Sequence, residues 1–178
     1  MASEKTLSTE VIFEGRALRL RVDTIETIDG RTSTREIVEH GDCICVVAVD
    51  NDGNVLLVKQ FRTPLQKELL EIPAGGIDAG EDAETAVIRE MQEETGFRPQ
   101  KLERLCGFYS SPGFCDEYLH LYLATDLVAS RLYAEDTESI ELVRVPVAQI
   151  LELVASGRIE DCKSIAGLCY YLQYLKMA

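Results

Sequence analysis

The chain has 178 residues, and its 18 Lys and Arg side chains are outnumbered by 31 Asp and Glu side chains, which gives a formal net charge of −13. This balance disfavours nucleic acid and anionic membranes as partners, but a small anionic substrate stays possible because bound metal ions and a few arginines reverse the charge locally. The length predicts one domain with at most a small appendage, and a hydrophobic content of 46% is enough for a core.

The sequence shows no pattern typical of a signal peptide, a membrane span or a zinc site. The first ten residues, MASEKTLSTE, are polar and lack the apolar stretch of a signal peptide. The longest uninterrupted apolar run, Cys43–Val49, is too short to cross a bilayer. The six cysteines show no paired CxxC spacing, and the sequence has only two histidines, so no zinc site is expected. We therefore expect a cytoplasmic protein whose cysteines are small buried side chains in a reducing compartment.

Residues 9–39 predict three short strands, with a hairpin turn signal at Asp29-Gly30. A sheet this thin buries little by itself, so it needs a partner surface, either the rest of the chain or a second copy. Arg35 on these strands is a candidate for holding a phosphate or stacking on a base, although exposed strand arginines usually protect an edge. We assign residues 1–40 to an N-terminal β segment on the dimerisation and substrate side, and residues 41–178 to the main domain.

A second hairpin is predicted around residues 51–53. Its first strand, Cys43–Val49, is apolar on both faces, which is typical of a central strand. Glu68 and Glu71 then flank a further strand, and either glutamate could simply face solvent. Pro73 and Gly75 predict a loop that leads into a helix.

This helix is predicted from about residue 82 to residue 95. Asp82 is suited to cap its N-terminus, and Gly96 is suited to end it. Apolar residues recur at helical spacing and would form its buried stripe: Ala83, Ala86, Val87 and Met91. On a wheel of about 100° per residue, Glu90 and Glu94 fall inside this apolar arc, and Glu93 lies at its margin.

Carboxylates in an apolar arc require a partner, because a buried charge is costly unless it is paired or binds a metal. Glu90 and Glu94 are four residues apart, so their oxygens converge, and Glu93 is one turn from Glu90 and can share the site. A cluster of hard oxygens suits Mg²⁺, with Mn²⁺ as a substitute. The geometry alone leaves open that an Arg or Lys from elsewhere in the fold pairs with these glutamates.

After this helix, two strands are predicted near residues 102–108 and 118–124. The segment 134–141 is an acidic loop, which is usually solvated. Two helices follow a last strand. The buried residues predicted for them are Val147, Ile150, Leu151 and Val154 in the first, and Ile165, Leu168, Cys169 and Leu172 in the second. This order of elements predicts a mixed sheet between helical layers.

Residues 75–97 follow the pattern G-x5-E-x7-R-E-U-x-E-E-x-G-U, in which U is a bulky apolar residue. This pattern resembles the box of the Nudix hydrolases at every fixed position: Gly75, Glu81, Arg89, Glu90, Met91, Glu93, Glu94, Gly96 and Phe97. The strings FRTP and ELLEIPAG before the box, and Pro112 after it, resemble the ADP-ribose pyrophosphatase branch of this family.

The resemblance implies an αβα Nudix sandwich of the α/β (α+β) class with a mixed sheet. It implies Mg²⁺-dependent hydrolysis of ADP-ribose to AMP and ribose 5-phosphate. It also implies a homodimer in which the N-terminal strands reach across to the partner. The alternatives are a Nudix pyrophosphatase for another nucleoside diphosphate sugar or dinucleotide, and a catalytically silent module that senses a nucleotide metabolite.

The resemblance further implies roles for individual residues. The metal ligands would be Glu90, Glu93, Glu94 and the carbonyl of Ala74, which precedes the box glycine. Glu138 of the acidic loop best matches a glutamate that approaches the hydrolytic water in the resembled branch. The other predicted catalytic residues are Glu93, Arg89, which would orient the glutamates, and Glu81, which would support the site from the helix N-terminus. The predicted substrate contacts are Arg62, Glu68, Arg35 and Pro112.

Overall fold

The computed structural model of the chain describes residues 4–134 and 139–177. These residues divide into two compact units. The first contains the residues up to 42 together with residues 109–118, and the second contains residues 43–108 and those from 119 onward. The first unit thus includes a short segment that lies beyond the predicted boundary at residue 40, and that boundary stays a prediction.

The first unit is a three-stranded antiparallel sheet in the order β1-β2-β3. Its strands are β1 (Lys5–Glu14), β2 (Arg19–Glu26) and β3 (Thr32–Glu39). The β2–β3 turn contains Gly30, whose φ of 82° lies in the left-handed region that glycine adopts without strain. Every residue of β1 is exposed, including the apolar Val11, Ile12 and Phe13. An edge strand with apolar side chains is therefore open to solvent in the isolated chain.

The second unit is built on a seven-stranded mixed sheet. Its strands are β4 (Cys43–Val49), β5 (Asn54–Arg62), β6 (Lys67–Glu71), β7 (Ala74–Gly76), β8 (Phe97–Tyr109), β9 (Tyr118–Ala129) and β10 (Glu141–Pro146). The order is β10-β5-β4-β9-β8, while β6 pairs with β5 and β7 pairs with β4. Strands β4 and β9 run parallel, and the other pairings of β4 are antiparallel.

The central strand β4 contributes to two cores, because its successive side chains point to opposite faces of the sheet. Cys45 and Val47 belong to the core that includes the C-terminal helices. Val46 and Ala48 belong to the core on the other face, beneath the helix of the box. The sheet thus lies between helical layers, as predicted.

Three helices cover the sheet: α1 (Ala83–Glu90), α2 (Ile150–Ala155) and α3 (Cys162–Tyr174). The side chain of Asp82 caps α1 by accepting a hydrogen bond from the Thr85 amide at 3.0 Å. A π-helical turn, Met91–Thr95, continues α1 directly and ends at Gly96, whose φ is 78°. None of the helices in the described part of the chain is long and apolar enough to cross a membrane.

Two details of the C-terminal helices differ from the sequence-based prediction. In α2, Leu151 is exposed and Leu153 is buried in its place, because a 3₁₀ turn (Val147–Gln149) precedes α2 and changes the rotation of its side chains. In α3, Cys169 is exposed, since the face with Gly167 packs closely on the sheet and turns Cys169 away. Cys162 is exposed as well, so the prediction of buried cysteines fails for both residues in α3.

Candidate active site

The helical segment that contains the box directs Glu90 and Glu94 towards the interior of the protein. Ala86, Val87 and Met91 are fully buried against the sheet, as the periodicity predicts. Glu94 lies in the same arc and is only 7% exposed. Burial, and secondarily the charge of Glu90, raises the pKa of the Glu94 carboxyl to about 8. Burial also raises the pKa of Glu90, and a contact with Arg89 opposes this effect.

Glu94 is connected to the loop before the box through a single hydrogen bond. Its Oε2 accepts a hydrogen bond from the Ala74 amide at 3.1 Å. No Lys or Arg among residues 4–134 and 139–177 forms a direct ion pair with Glu94, and the more distant charges of Lys163 and Arg62 only partly oppose the rise of its pKa. The contact from Ala74 involves its N–H group, and the ligand role of its carbonyl stays a prediction.

Arg89 connects the exposed side of this cluster. Its guanidinium donates to Glu81 Oε1 and Oε2 at 3.0 and 2.9 Å and to Glu90 Oε1 at 2.6 Å. It also donates to Glu93 Oε2 at 3.3 Å and to the carbonyl of Gly76 at 2.9 Å. The hydrogen bond from Arg89 lowers the pKa of Glu81. Arg89 thus contacts three carboxylates of the box, and its catalytic role stays a prediction.

Gly75 leaves the space in which Glu90 lies. A Cβ atom at this position would lie 2.0 Å from Glu90 Oε1, so any other residue would displace that carboxylate. The box glycine therefore leaves room for the close approach of a carboxylate to the backbone.

The side chains of this site fit a hard divalent cation. Glu94 offers a buried carboxylate and Glu90 a partly buried one, burial disfavours the charge of both, and Glu93 lies at the margin of the same arc. A Mg²⁺ ion would remove this penalty, since carboxylate oxygens are its preferred protein ligands. Within the described ranges, Glu90 forms an ion pair with Arg89 of its own helix and Glu94 forms none, so a cation from elsewhere in the fold contacts neither carboxylate directly.

A second charged cluster joins β5, β6 and the first turn of α3. Arg62 donates from Nε and Nη2 to the two oxygens of Glu71, each at 2.7 Å. Lys163 binds Glu71 Oε2 as well, and it donates to Asp161 Oδ2 at 2.9 Å. Burial by itself raises the pKa of Glu71, yet Arg62 and Lys163 together hold this pKa below its usual value. We call Arg62, Glu71, Lys163 and Asp161 the α3 clamp.

The α3 clamp contains residues that the sequence-based interpretation missed. Glu71 is 2% exposed, so the suggestion that it faces solvent is wrong. The sequence gives no sign of the role of Lys163, because its partner Glu71 lies 92 residues away, or of Asp161, which joins the cluster through Lys163. The one local signal is Asp161 itself, which precedes a helix and accepts a hydrogen bond from the Ser164 amide as an N-cap.

The other predicted substrate residues lie in different parts of the chain. Glu68, in β6, is exposed and pairs with Lys59 at 2.8 Å. Arg35 and Pro112 belong to the first unit, where both line a cavity of about 330 Å³, and Arg35 pairs with Glu4. Glu138 lies outside the described residues. The structure thus groups Ala74, Glu81, Arg89, Glu90, Glu93 and Glu94 around one end of α1 and leaves the substrate roles as predictions.

Comparison with known sequences and structures agrees with this architecture. The profile of the NUDIX domain matches residues 39–164, and that of the nucleoside diphosphate sugar hydrolase N-terminal domain matches residues 4–38. An ADP-ribose pyrophosphatase of Bacillus subtilis (strain 168) is 39% identical over 176 residues, which cover 98% of this chain and 93% of that relative. A methanol dehydrogenase activator of Bacillus methanolicus is 40% identical over 169 residues, 94% and 91% of the two chains.

One solved structure extends the comparison to the fold. The crystal structure of an ADP compounds hydrolase aligns with a TM-score of 0.89 over 97% of this chain and 94% of that chain, at 22% sequence identity. The box lies within the NUDIX match, and the arrangement of sheet and helices is shared with the solved structure. The chain therefore belongs to the Nudix domain family.

Proposed function

We propose that the protein hydrolyses the pyrophosphate bond of ADP-ribose to AMP and ribose 5-phosphate and that it requires Mg²⁺. The observation that carries this proposal is the pair of converging carboxylates on a complete box, Glu90 partly buried and Glu94 buried, with no direct ion pair to Glu94 within the described residues. The likeness to an ADP-ribose pyrophosphatase over nearly the full length supports the choice of substrate.

Glu90, Glu93 and Glu94 would hold the metal ion, with the Ala74 carbonyl as a further ligand. When bound, Mg²⁺ supplies positive charge that screens the diphosphate and lowers the pKa of a water molecule. Arg89 holds Glu90 and Glu93 in place through its hydrogen bonds, and Glu81 anchors Arg89 in turn. The carboxylates therefore approach the ion without reorganisation, which favours binding.

Arg62 would contact the diphosphate. Its side chain is 38% exposed, and only Nε and Nη2 donate to Glu71, so the other N–H groups of the guanidinium are available to an anion. Arg35 and Pro112 would contribute to the recognition of the nucleoside, and Glu68 is the fourth candidate contact.

Glu138 would accept the proton of the attacking water, as the resemblance to the ADP-ribose pyrophosphatase branch suggests. The box glutamates are committed to the metal ion, so a separate carboxylate is needed as a base. Replacing Glu138 by Gln should lower kcat strongly with little change in KM, whereas Glu141→Gln should have much less effect. A Glu138→Gln enzyme within about twofold of the wild type would transfer the role of base to Glu93 or leave the activation of the water to the metal ion alone.

Another nucleoside diphosphate sugar is the second candidate substrate, favoured by the match of residues 4–38 to the N-terminal domain of nucleoside diphosphate sugar hydrolases. The purified protein should be incubated with Mg²⁺ and a panel of ADP-ribose, other nucleoside diphosphate sugars and dinucleotides. We expect the fastest hydrolysis with ADP-ribose and complete loss of turnover in EDTA. Survival of every substrate with both Mg²⁺ and Mn²⁺ would favour a module that binds nucleotides without turnover.

The protein would act as a homodimer in which β1 covers a surface of the partner. The exposed apolar side chains of β1 support this proposal, because apolar side chains that face water on both sides of a strand are unfavourable. Light scattering at micromolar concentration should give twice the chain mass of 19.9 kDa. A monomer whose truncation before residue 40 keeps full activity would contradict the proposal.

A further inference from the structure

At the start of α3, the carboxylate of Asp161 binds the side chains of both Lys163 and Ser164. Asp161 Oδ2 accepts hydrogen bonds from the Ser164 amide at 3.0 Å, from Ser164 Oγ at 2.5 Å and from Lys163 Nζ at 2.9 Å. Ser164 is fully buried, and the Lys163 side chain is only 13% exposed. Neither side chain can adopt many other conformations, because both are enclosed and bonded to the same oxygen.

These two side chains hold the end of β6, just before the loop that reaches the metal site. Ser164 Oγ accepts a hydrogen bond from the Ile72 amide at 2.8 Å, and Lys163 binds the carboxylate of the preceding residue, Glu71. Two residues further along, the Ala74 amide donates to Glu94. The start of α3 is thereby connected to the metal-binding helix through a short segment of β6 and β7.

Lys163 and Asp161 extend the Arg62–Glu71 pair to a network of four charged groups. Lys163 shares the Glu71 carboxylate with Arg62, and Asp161 binds Lys163 in turn, so the four groups together are neutral. Lys163 thereby holds the Glu71 carboxylate together with Arg62. The bidentate contact with Glu71 meanwhile fixes the plane of the guanidinium.

We propose that Lys163 is a positioning residue that holds Glu71, and through it Arg62, in the orientation that presents the open guanidinium N–H groups to the diphosphate of the substrate. This inference rests on the proposed function, in which Arg62 contacts that diphosphate. Lys163 itself touches neither substrate nor reacting atoms.

The direct test is Lys163→Met, which removes the charge and keeps the length of the side chain. In the full-length protein we expect KM for ADP-ribose to rise about tenfold, with kcat changed less than about threefold, as for the loss of a coupling within one hydrogen-bonded network. The matched control is Lys67→Met, which breaks an exposed ion pair with Glu160 at 2.5 Å near the same helix. That variant should keep the wild-type KM.

A double-mutant cycle with Arg62→Met separates positioning from a general effect on the site. If Lys163 acts through Arg62, the variant Arg62→Met should raise KM, and adding Lys163→Met should raise it no further. Additive effects of the two substitutions would overturn the proposal, and so would a wild-type KM in a folded Lys163→Met protein.

Removal of one charge from a buried network can unfold a protein, so a second variant keeps the proposal testable. The double variant Glu71→Gln with Lys163→Met removes both buried charges together and should fold more stably than Lys163→Met alone. Its KM should stay raised, because the guanidinium has lost its carboxylate partner. A wild-type KM in this folded double variant would overturn the proposal.

Equilibrium binding distinguishes a failure of this inference from a failure of the proposed function. Calorimetric titration with ADP-ribose in EDTA measures the contact of Arg62 without turnover. If the wild type binds ADP-ribose in EDTA but hydrolyses none when Mg²⁺ is supplied, the proposed reaction is wrong, and the Kd values of the same variants then test the role of Lys163. If the wild type does not bind ADP-ribose at all, the positioning role is overturned as well.

Discussion

Glu71 and Glu94 are two buried glutamates of the same unit with opposite surroundings. The carboxylate of Glu71 is bound by Arg62 on both oxygens and by Lys163 on one, and these cations hold its pKa below the usual value against the effect of burial. Glu94 accepts one hydrogen bond from the Ala74 amide, and its pKa is raised to about 8 by burial and by the charge of Glu90.

The difference separates a carboxylate that two cations contact directly from one that no cation contacts directly in the described part of the chain. A buried acid with two cations stabilises the fold and has little capacity for another cation. A buried acid beside a second acid is unfavourable in the empty site, and this penalty is relieved when a divalent ion binds. Burial alone therefore does not mark a carboxylate as a candidate metal ligand, and the contacts of each carboxylate have to be compared as well.

The largest effect should come from removing the charge at the metal site. Glu94→Gln and Glu90→Gln should each lower kcat for ADP-ribose by at least about 10²-fold, because under the proposed function each removes a carboxylate that would hold the ion stabilising the transition state. Glu84→Gln, an exposed position on the same helix, is the control and should keep wild-type turnover. Near-normal turnover in both site variants would mean that these glutamates have a structural role.

The second prediction tests the comparison through stability. Glu71→Gln should reduce the free energy of unfolding by about 3 kcal/mol, because Arg62 and Lys163 lose their shared partner inside the protein. Glu94→Gln, measured without metal, should leave the melting temperature unchanged or raise it, because the amide keeps the hydrogen bond from Ala74 and carries no charge. Urea unfolding of the two variants in EDTA would measure both effects, and equal destabilisation would contradict the distinction.

Gly75 and Gly76 offer a matched pair for the geometry of the metal site. Gly75→Ala should raise the Mg²⁺ concentration needed for half-maximal activity about tenfold, because the new Cβ would displace the Glu90 carboxylate from its place beside the backbone. Gly76→Ala should have little effect, since a Cβ there would meet no atom within 4 Å and the carbonyl bonded to Arg89 is retained. Titration of activity with Mg²⁺ gives both values; a wild-type response for Gly75→Ala would contradict the close approach.

The smallest effect concerns acid pH. Because the pKa of Glu71 is lowered in the folded state, its contribution to stability is fully present above the ordinary value of 4.5 and is lost as the pH falls through the lowered folded value. The difference in melting temperature between the wild type and Glu71→Gln should therefore be constant from about pH 7 to about pH 5 and shrink at lower pH. If this difference in melting temperature grew as the pH fell, the pKa of Glu71 would be raised in the folded state rather than lowered.

The structural features that depend on local residue spacing could be predicted from the sequence. Asp82 caps α1 and Gly96 ends the helical segment, as their positions predict. The placement of Glu90 and Glu94 in the buried arc followed from the helical period. The apolar pattern of Cys43–Val49 likewise identified the central strand, because burial on both faces leaves no polar alternation.

The features that the sequence did not predict depend on contacts between distant residues or on local departures from the regular helix. Glu71 can be recognised as buried only when Lys163 is placed beside it, and no local pattern connects the two positions. The π-helical turn at Met91–Thr95 has the same periodic signal as an α-helix over so few residues, so periodicity cannot reveal it. The exposure of Cys169 depends on the close packing of Gly167, which is a tertiary contact.

The parallel pairing of β4 with β9 also determines when the site can form. Cys43 pairs with Leu119, so the whole box lies within the loop that this pairing closes, and Lys163 follows later still. Pairing across such a long separation is slow, because the entropy of closing the loop is lost before the contacts form. A nascent chain that ends before residue 119 contains every residue of the box but lacks β9, which pairs with β4. The contiguous motif is thus made early in synthesis, whereas the site that it specifies is completed only after the start of α3 has joined the fold.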